Sequence, residues 1–353
     1  MTPASGSYAA LDEALEILAP AGPDLQNGMS NHAPMAVEAL CALGRGAAAL
    51  PWLERYRDGL APRPPSLARI TATDWRAALG QSRQAGDWFA FFCNELEEYP
   101  WPVVLDRWVT RLAPGIVAAA AHGVIRTGHA VRALSVEETP ARRRELADGL
   151  AYWAAEYQVL PARRRAADRV LPSAAIEQVP VIPPAERGSF GSLTGALGQL
   201  DRFAPFSETL DAVDPAPDAT AFLSDLTLTF ARVSLANAHD FLTAIAFVHT
   251  VTGPSALRPM LPYLRPDTAH VALSFAWQAS AALYATFGTD GRLPTPVHGA
   301  VTDADGLVER AIAGGDEHGI KFTEVCLREQ AINPHPAFLA AADHAINILN
   351  GST

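Results

Sequence analysis

Apolar residues recur at helical spacing along most of the chain. Residues 8–19 show this spacing and are followed by a proline- and glycine-rich segment. A second helix is predicted to start at a cap formed by Ser30 or Asn31 and to run to Gly44. The pattern is typical of helices that each bury one apolar side.

No segment alternates convincingly between apolar and polar positions as a pair of strands would. The sequence therefore predicts an all-α fold, with residues 1–353 forming a single large multi-helix domain. Proline-rich stretches indicate internal linkers near 171–184 and 211–218. We expect the active site to lie in the buried helical core.

Three predicted helices are apolar on more than one side, which indicates burial. The first covers 115–134, where alanines and glycines permit close helix packing. The second covers 220–251, with a break near 237–240 and a stop at Gly253-Pro254. The third is capped by Asp316 and is broken by Asn333-Pro334.

Two further segments carry aromatic or histidine side chains. Helices predicted over 75–108 contain an aromatic cluster that we interpret as core, and that could also wall an aromatic ligand: Trp88, Phe89, Phe91 and Phe92. A loop predicted over 288–302 carries His298.

Composition narrows the possible partners and compartment. The 353-residue chain is 49% hydrophobic and 18% charged, and its net charge is −11. This charge argues against nucleic acids and anionic membranes, because both are themselves negative. Three widely spaced cysteines in apolar helical contexts are typical of buried free thiols in a reducing compartment. Neither a secretory signal nor the ~20 apolar residues of a membrane span is visible, so we expect a cytoplasmic protein. Its oligomeric state is not predicted.

Lys321 is the only lysine in the chain, so the other 26 of the 27 Lys and Arg residues (27 − 1) are arginines. A lysine amine, unlike a guanidinium, becomes neutral when it is buried and can then be covalently modified. The helical projection predicts that Lys321 is buried, and His318 lies three residues earlier on the same face. Reaction of a neutral amine with CO₂ would give a carbamate, which is an anionic oxygen ligand.

Four histidines lie on or beside the segments that we expect to be buried: His32, His122, His249 and His318. Imidazole nitrogens combined with an oxygen ligand suit Fe, Zn, Cu or Ni. The sequence has no HExxH motif, so a zincin is not indicated. Three hypotheses remain open: an iron oxygenase, a Zn-dependent hydrolase or lyase, and a non-catalytic helical protein that binds an aromatic small molecule.

Two more candidates share the helix of His122. Arg126 lies four residues after it and could stabilise a substrate phenolate. His129 lies seven residues after His122. Its position is compatible with three roles: a fifth ligand, a proton shuttle or a packing residue. We predict both as catalytic residues.

Four motifs in the same order resemble the questin oxidase-like family over about residues 8–348: Asn31-His32, His122-Gly-Val-Ile-Arg126, His249-Thr-Val-Thr252-Gly253-Pro254 and His318-Gly-Ile-Lys321. The resemblance implies an all-helical oxygenase that opens the ring of anthraquinone-type polyketides, in a Baeyer-Villiger-like oxidation with O₂. It also implies that the four histidines and Lys321 are ligands of a non-haem Fe(II), with a carbamate on Lys321. NADPH is compatible as a co-substrate.

Overall fold

The computed structural model describes residues 8–163, 169–289 and 303–351, and the predicted all-α class is confirmed. The α-helices of the described residues are α1 (Ala9–Leu18), α2 (Ala33–Ala42), α3 (Ala49–Tyr56), α4 (Trp75–Ala78), α5 (Ala85–Glu98), α6 (Trp101–Leu112), α7 (His122–Val136), α8 (Pro140–Ala155), α9 (Pro172–Ala175), α10 (Leu193–Leu197), α11 (Ala219–Asn237), α12 (Phe241–Ser255), α13 (Pro266–Phe287), α14 (Ala304–Gly314), α15 (Glu317–Ile332) and α16 (Pro336–Leu349). Among them, no helix combines the length and the apolar composition needed to cross a membrane.

A short antiparallel strand pair corrects the expectation that the chain contains none. Strand β1 (Ala21–Leu25) pairs with β2 (Leu60–Pro62), and Leu25 lies opposite Leu60. Both strands are too short, and too rich in proline, to show an alternating pattern in the sequence. The pair has a consequence for the site, because the Asn31 backbone N–H donates to the Pro23 carbonyl at 2.8 Å. The sheet thus places the residue that precedes His32.

The first of two compact units comprises Met1–Gln158 with Pro259–Arg265. Its helices α7 and α8 pack very closely where Gly123 faces Trp153. There is no room for a side chain at Gly123, since an added Cβ atom would lie 2.5 Å from the Trp153 Cα atom. The aromatic cluster on α5 and α6 packs on itself, with ring centroids 5.7 Å apart for Trp88 and Trp108 and 4.9 Å apart for Phe92 and Trp108. Trp88 and Phe92 are fully buried, as the interpretation of the cluster as core requires, whereas Phe89 and Phe91 are half-buried.

The second unit comprises Val159–Arg258 with Pro266–Thr353. Helix α12 packs against α11, α13, α15 and α16. The predicted break is confirmed, because Asp240 begins α12 with a capping box shared with Thr243. However, α12 continues through Gly253 and Pro254 and ends at Ser255, one residue beyond the predicted stop. The single-domain assignment stays a prediction, as do the linkers, which in the described residues contain short helical turns.

The predicted helix over 115–134 is wrong in its first part. Ala119, Ala120 and Ala121 have φ values of 48°, 56° and 71°, so they form a left-handed turn, and α7 begins only at His122. L-residues avoid this conformation because their Cβ atom crowds the backbone. The predicted 288–302 loop with His298 lies mostly outside the described residues, and His298 itself is not among them.

Candidate metal centre

The first unit brings His32 and His122 together. Their ring centroids are 4.5 Å apart, and a ring nitrogen of each lies within 4.8 Å of the other. Both side chains are buried, with 3% and 6% exposed, respectively. His32 is placed by its neighbours: the Asn31 side chain accepts the Ala33 N–H at 3.0 Å, and the Tyr56 hydroxyl accepts the His32 N–H at 3.1 Å. Two buried imidazoles therefore face one another at the N-terminal ends of α2 and α7.

The left-handed turn before α7 sets the tautomer of His122. Nδ1 of His122 contacts the carbonyl oxygen of Ala119, the first residue of that turn. A carbonyl oxygen only accepts, so Nδ1 carries the proton and Nε2 carries the lone pair that a metal ion requires. Each L-residue in the left-handed region costs roughly 1–2 kcal/mol. The turn therefore stores strain directly beside a candidate ligand.

The second unit brings His249 and His318 together, with their ring centroids 5.4 Å apart. Nδ1 of His249 donates to the Ile245 carbonyl at 2.7 Å, so Nε2 is again the nitrogen with the lone pair. Nδ1 of His318 lies 3.4 Å from a carboxylate oxygen of Asp316, which also caps α15 by accepting the His318 and Gly319 N–H groups. A carboxylate or carbonyl on Nδ1 is the usual arrangement behind a metal-binding histidine.

Lys321 lies one helical turn after His318 on α15 and is buried, with 2% of its surface exposed. Burial lowers the pKa of its amine from 10.5 to about 8, against the opposing effect of the Glu317 and Asp316 carboxylates. The predicted burial of the lone lysine is confirmed. A neutral amine is therefore much more accessible here than at the surface.

These side chains are of the kind that bind metal ions. In each unit two buried imidazoles adjoin, and three of the four rings have Nδ1 beside an oxygen atom, so Nε2 is the ring nitrogen suited to bind a metal ion. Lys321 adds an amine that could become an oxygen ligand in the second unit. The buried histidines could thus bind a metal ion.

Arg126 does not face open space, because it is held by an acidic pair on α8. Its Nε and Nη2 atoms donate to the two carboxylate oxygens of Glu145 at 2.6 and 2.8 Å, and Nη2 lies 3.5 Å from Asp148. Burial alone would lower the pKa of the guanidinium, but Glu145 and Asp148 raise it above its ordinary value. Its Nη1 atom is buried and makes no hydrogen bond within the described part of the chain.

His129 belongs to a buried network that the sequence reasoning missed. Its Nδ1 lies 2.6 Å from a carboxylate oxygen of Glu38 on α2. The same carboxylate accepts hydrogen bonds from Tyr8 at 2.6 Å and from Arg132 Nε at 2.8 Å. Burial would raise the pKa of Glu38, but Arg132 and His129 hold it well below its usual range. One signal was present, since Glu38 is the only charged residue in α2, as Lys321 is the only lysine in the chain.

A comparison with protein families identifies the group to which the chain belongs. No curated protein matches the chain well enough to count as a relative. The sequence model described as questin oxidase-like matches residues 29–326, a segment that contains all four of these histidines, Lys321, Arg126 and His129. This match covers most of the chain, which therefore belongs to the questin oxidase-like family.

Proposed function

We propose that this protein is a metal-dependent oxygenase that uses O₂ to oxidise or cleave the ring of an aromatic, anthraquinone-like molecule. Membership in the family implies an oxidoreductase that acts on a small molecule. Metal dependence is supported by one observation above all. Each unit buries an adjoining pair of imidazoles, and in each pair a backbone carbonyl accepts a hydrogen bond from Nδ1 of one ring. A buried imidazole nitrogen is costly unless it has a hydrogen-bond partner or binds a metal ion.

We further propose that the five predicted ligands bind non-haem Fe(II): His32, His122, His249, His318 and a carbamate on Lys321. The carbamate forms when the neutral amine of Lys321 attacks CO₂, which makes one N–C bond and releases one proton. The pKa of the Lys321 amine, about 8, leaves an appreciable fraction of the amine neutral near neutral pH. An arginine could not react in this way. Bound iron would supply the one-electron chemistry that O₂ requires.

Arg126 is proposed to bind the substrate. Glu145 and Asp148 keep the guanidinium charged and fix its plane, while the buried Nη1 atom is directed away from both of the bonds to Glu145. That N–H group is suited to donate to a phenolate oxygen, where a buried charge-assisted hydrogen bond is strong. Arg63 also donates to Asp148 at 2.9 Å, so two guanidinium groups balance the two carboxylates before substrate binds.

His129 is proposed to carry a proton. Glu38 contacts Nδ1 and fixes the orientation of the ring, and Nε2 is the atom that we propose takes up and returns a proton. The role depends on the contact to Glu38, and the same contact is compatible with the packing alternative. NADPH remains a proposed co-substrate.

Elemental analysis of protein purified without added metal tests the proposal. We expect iron in amounts close to equimolar with the chain. Zinc at that level would instead favour a hydrolase or lyase, and the absence of any metal would favour an aromatic-binding protein without catalysis.

The carbamate is tested by carbon-13 NMR of protein equilibrated with labelled bicarbonate. We expect a carbamate carbon signal in the wild type that is absent from Lys321→Arg, together with loss of iron from that variant. Full iron content in Lys321→Arg would contradict the assignment of Lys321 as a ligand. Circular dichroism serves as the control that the variant retains its helices.

A further inference from the structure

In each unit, one buried glutamate connects the same two helices that carry the histidine pair. Glu38 and Glu329 are 2% and 0% exposed, respectively, and neither belongs to the proposed ligand set. A buried carboxylate is costly unless it is fully hydrogen-bonded, so its partners indicate what it holds. Both glutamates bond to partners on or just after the other helix of their pair.

In the first unit, Glu38 links α2 to α7. Its two oxygens accept from His129 at 2.6 Å and from Arg132 Nε and Nη2 at 2.8 and 2.5 Å, all on α7. Tyr8, immediately before α1, donates a further hydrogen bond at 2.6 Å. Four charge-assisted hydrogen bonds therefore converge on one side chain of α2.

The spacing along the two helices is nearly equal. Glu38 lies six residues after His32, and His129 lies seven residues after His122. At about 1.5 Å per residue, the two intervals measure about 9 and 10.5 Å. The His32–His122 pair and the Glu38–His129 pair are therefore two successive contacts between helices that run side by side in the same direction. A slip of either helix would disturb both contacts together.

In the second unit, Glu329 links α15 to the end of α12. It accepts from the Ser255 hydroxyl at 2.7 Å and from Arg258, which follows α12 by three residues. Thr227 on α11 donates at 3.3 Å. On the same turn of α15, Arg328 donates to the Ser255 carbonyl at 3.2 Å. The helix of His318 and Lys321 is thus joined to the helix of His249.

We propose that Glu38 and Glu329 are positioning residues for the metal ligands, each fixing the register of the two helices that present one histidine pair. The inference rests on the proposed metal site. Metal–ligand distances tolerate only about ±0.2 Å, whereas a slip of one residue along a helix moves a side chain by about 1.5 Å. Buried charge-assisted hydrogen bonds resist such a slip far better than apolar contacts, which have no preferred direction.

Metal titration of charge-neutral variants tests this role. Glu38→Gln and Glu329→Gln keep the size of the side chain and remove the charge. Asp12→Asn is the control, because it weakens an ion pair between α1 and Arg142 on α8, at 2.8 Å, that does not join two histidine-bearing helices; the Asp12 side chain is 33% exposed. Co(II) is the probe, with its dissociation constant measured by competition and its visible absorption spectrum recorded at a temperature where all variants retain native circular dichroism.

We expect Glu38→Gln and Glu329→Gln each to weaken Co(II) binding by about 10- to 100-fold, the range typical of residues that orient ligands, and to alter the spectrum. Asp12→Asn should bind like the wild type. A loss below about threefold for either glutamate variant, or an equal loss in Asp12→Asn, overturns the assignment. If Glu38→Gln does not fold, Glu38→Asp, which keeps the charge on a shorter chain, is expected to show the same loss. Failure of the wild type to bind Co(II) would instead refute the metal site itself.

Discussion

Replacement of Lys321 by methionine should stabilise the metal-free protein while abolishing metal binding. Lys321 is 2% exposed, and its neighbours along α15, Ile320 and Phe322, are fully buried, so its amine is removed from water. Methionine has a similar length and no charge, and it adapts readily to irregular packing. The substitution therefore removes a buried ionisable group with little change in volume.

The magnitude follows from the pKa of the amine. Folding lowers this pKa from 10.5 to about 8. Each pKa unit corresponds to about 1.4 kcal/mol, so burial of Lys321 lowers the free energy of unfolding by about 3 kcal/mol. Below pH 8 the unfolded amine is charged, and folding must either bury that charge or remove the proton. The full loss of about 3 kcal/mol therefore applies there. Above pH 10.5 the unfolded chain is also neutral and the cost vanishes.

The assay is chemical denaturation of both proteins at a series of pH values. Metal is first removed with a chelator, and the buffers are kept free of CO₂ so that the amine stays unmodified. At pH 7 we expect Lys321→Met to be more stable than the wild type by about 3 kcal/mol. This difference should shrink steadily between pH 8 and 10, because in that range the unfolded amine still holds a proton that the folded amine has released, so a rise in pH favours the folded wild type. Cysteine and tyrosine groups that titrate in this range are common to both proteins and cancel in the comparison.

Two results would refute this reasoning. One is a variant that is no more stable than the wild type at pH 7, which would mean that the amine is not a net burden to the fold. The other is a difference that stays constant from pH 7 to 10, which would assign any gain to packing and not to ionisation. The iron content of Lys321→Met is measured separately. We expect this variant to contain no iron, whatever its change in stability.

The remaining predictions concern backbone strain, a buried ion pair and a helix cap. Ala119→Gly should raise the free energy of unfolding by about 0.5–1 kcal/mol in urea denaturation, since glycine relieves the left-handed strain. The control is Ala90→Gly, at a half-buried position in α5, which should lower the free energy of unfolding by about 1 kcal/mol. Destabilisation by both substitutions would contradict the strain. Arg126→Gln should cost about 3–5 kcal/mol in the same assay by leaving Glu145 buried without its partner, and Glu145→Gln added to it should recover part of the loss. Asp240→Ala should lower the thermal midpoint by an amount equivalent to about 1 kcal/mol, and Asp240→Asn should restore it, because either side chain can cap α12.

The main helices could be predicted because their signals are local. Asp316 caps α15 and Asn333 ends it, as the residue types indicate, and the break at Asp240 follows from a capping side chain next to a helix start. The burial of Lys321 also followed from local information, since apolar residues lie on both sides of its helix. Each of these features depends on residues within one or two turns of one another.

The parts that could not be predicted depend on distant partners. Alanine has the highest intrinsic helix propensity, so Ala119, Ala120 and Ala121 gave no local sign of a left-handed turn. The β1–β2 pair joins segments that are almost 40 residues apart. Glu38 looked like an isolated charge in an apolar helix, and only the fold shows that Tyr8 and α7 surround it. In all three cases tertiary contacts outweigh the local preference.

Several features that oppose folding adjoin the proposed ligands, and their distribution is itself an argument for function. The left-handed alanines directly precede His122, the buried carboxylate of Glu38 lies two turns from His32, and the costly amine of Lys321 lies one turn from His318. Departures from local preference are expected where a site requires them and are removed elsewhere by selection for stability. Any one of the three could serve packing alone. Strained backbone, a buried anion and a buried amine have separate physical origins, however, and they occur beside histidines in both units. The proposed metal site would account for all three at once, because it needs a fixed tautomer, a fixed helix register and a neutral amine.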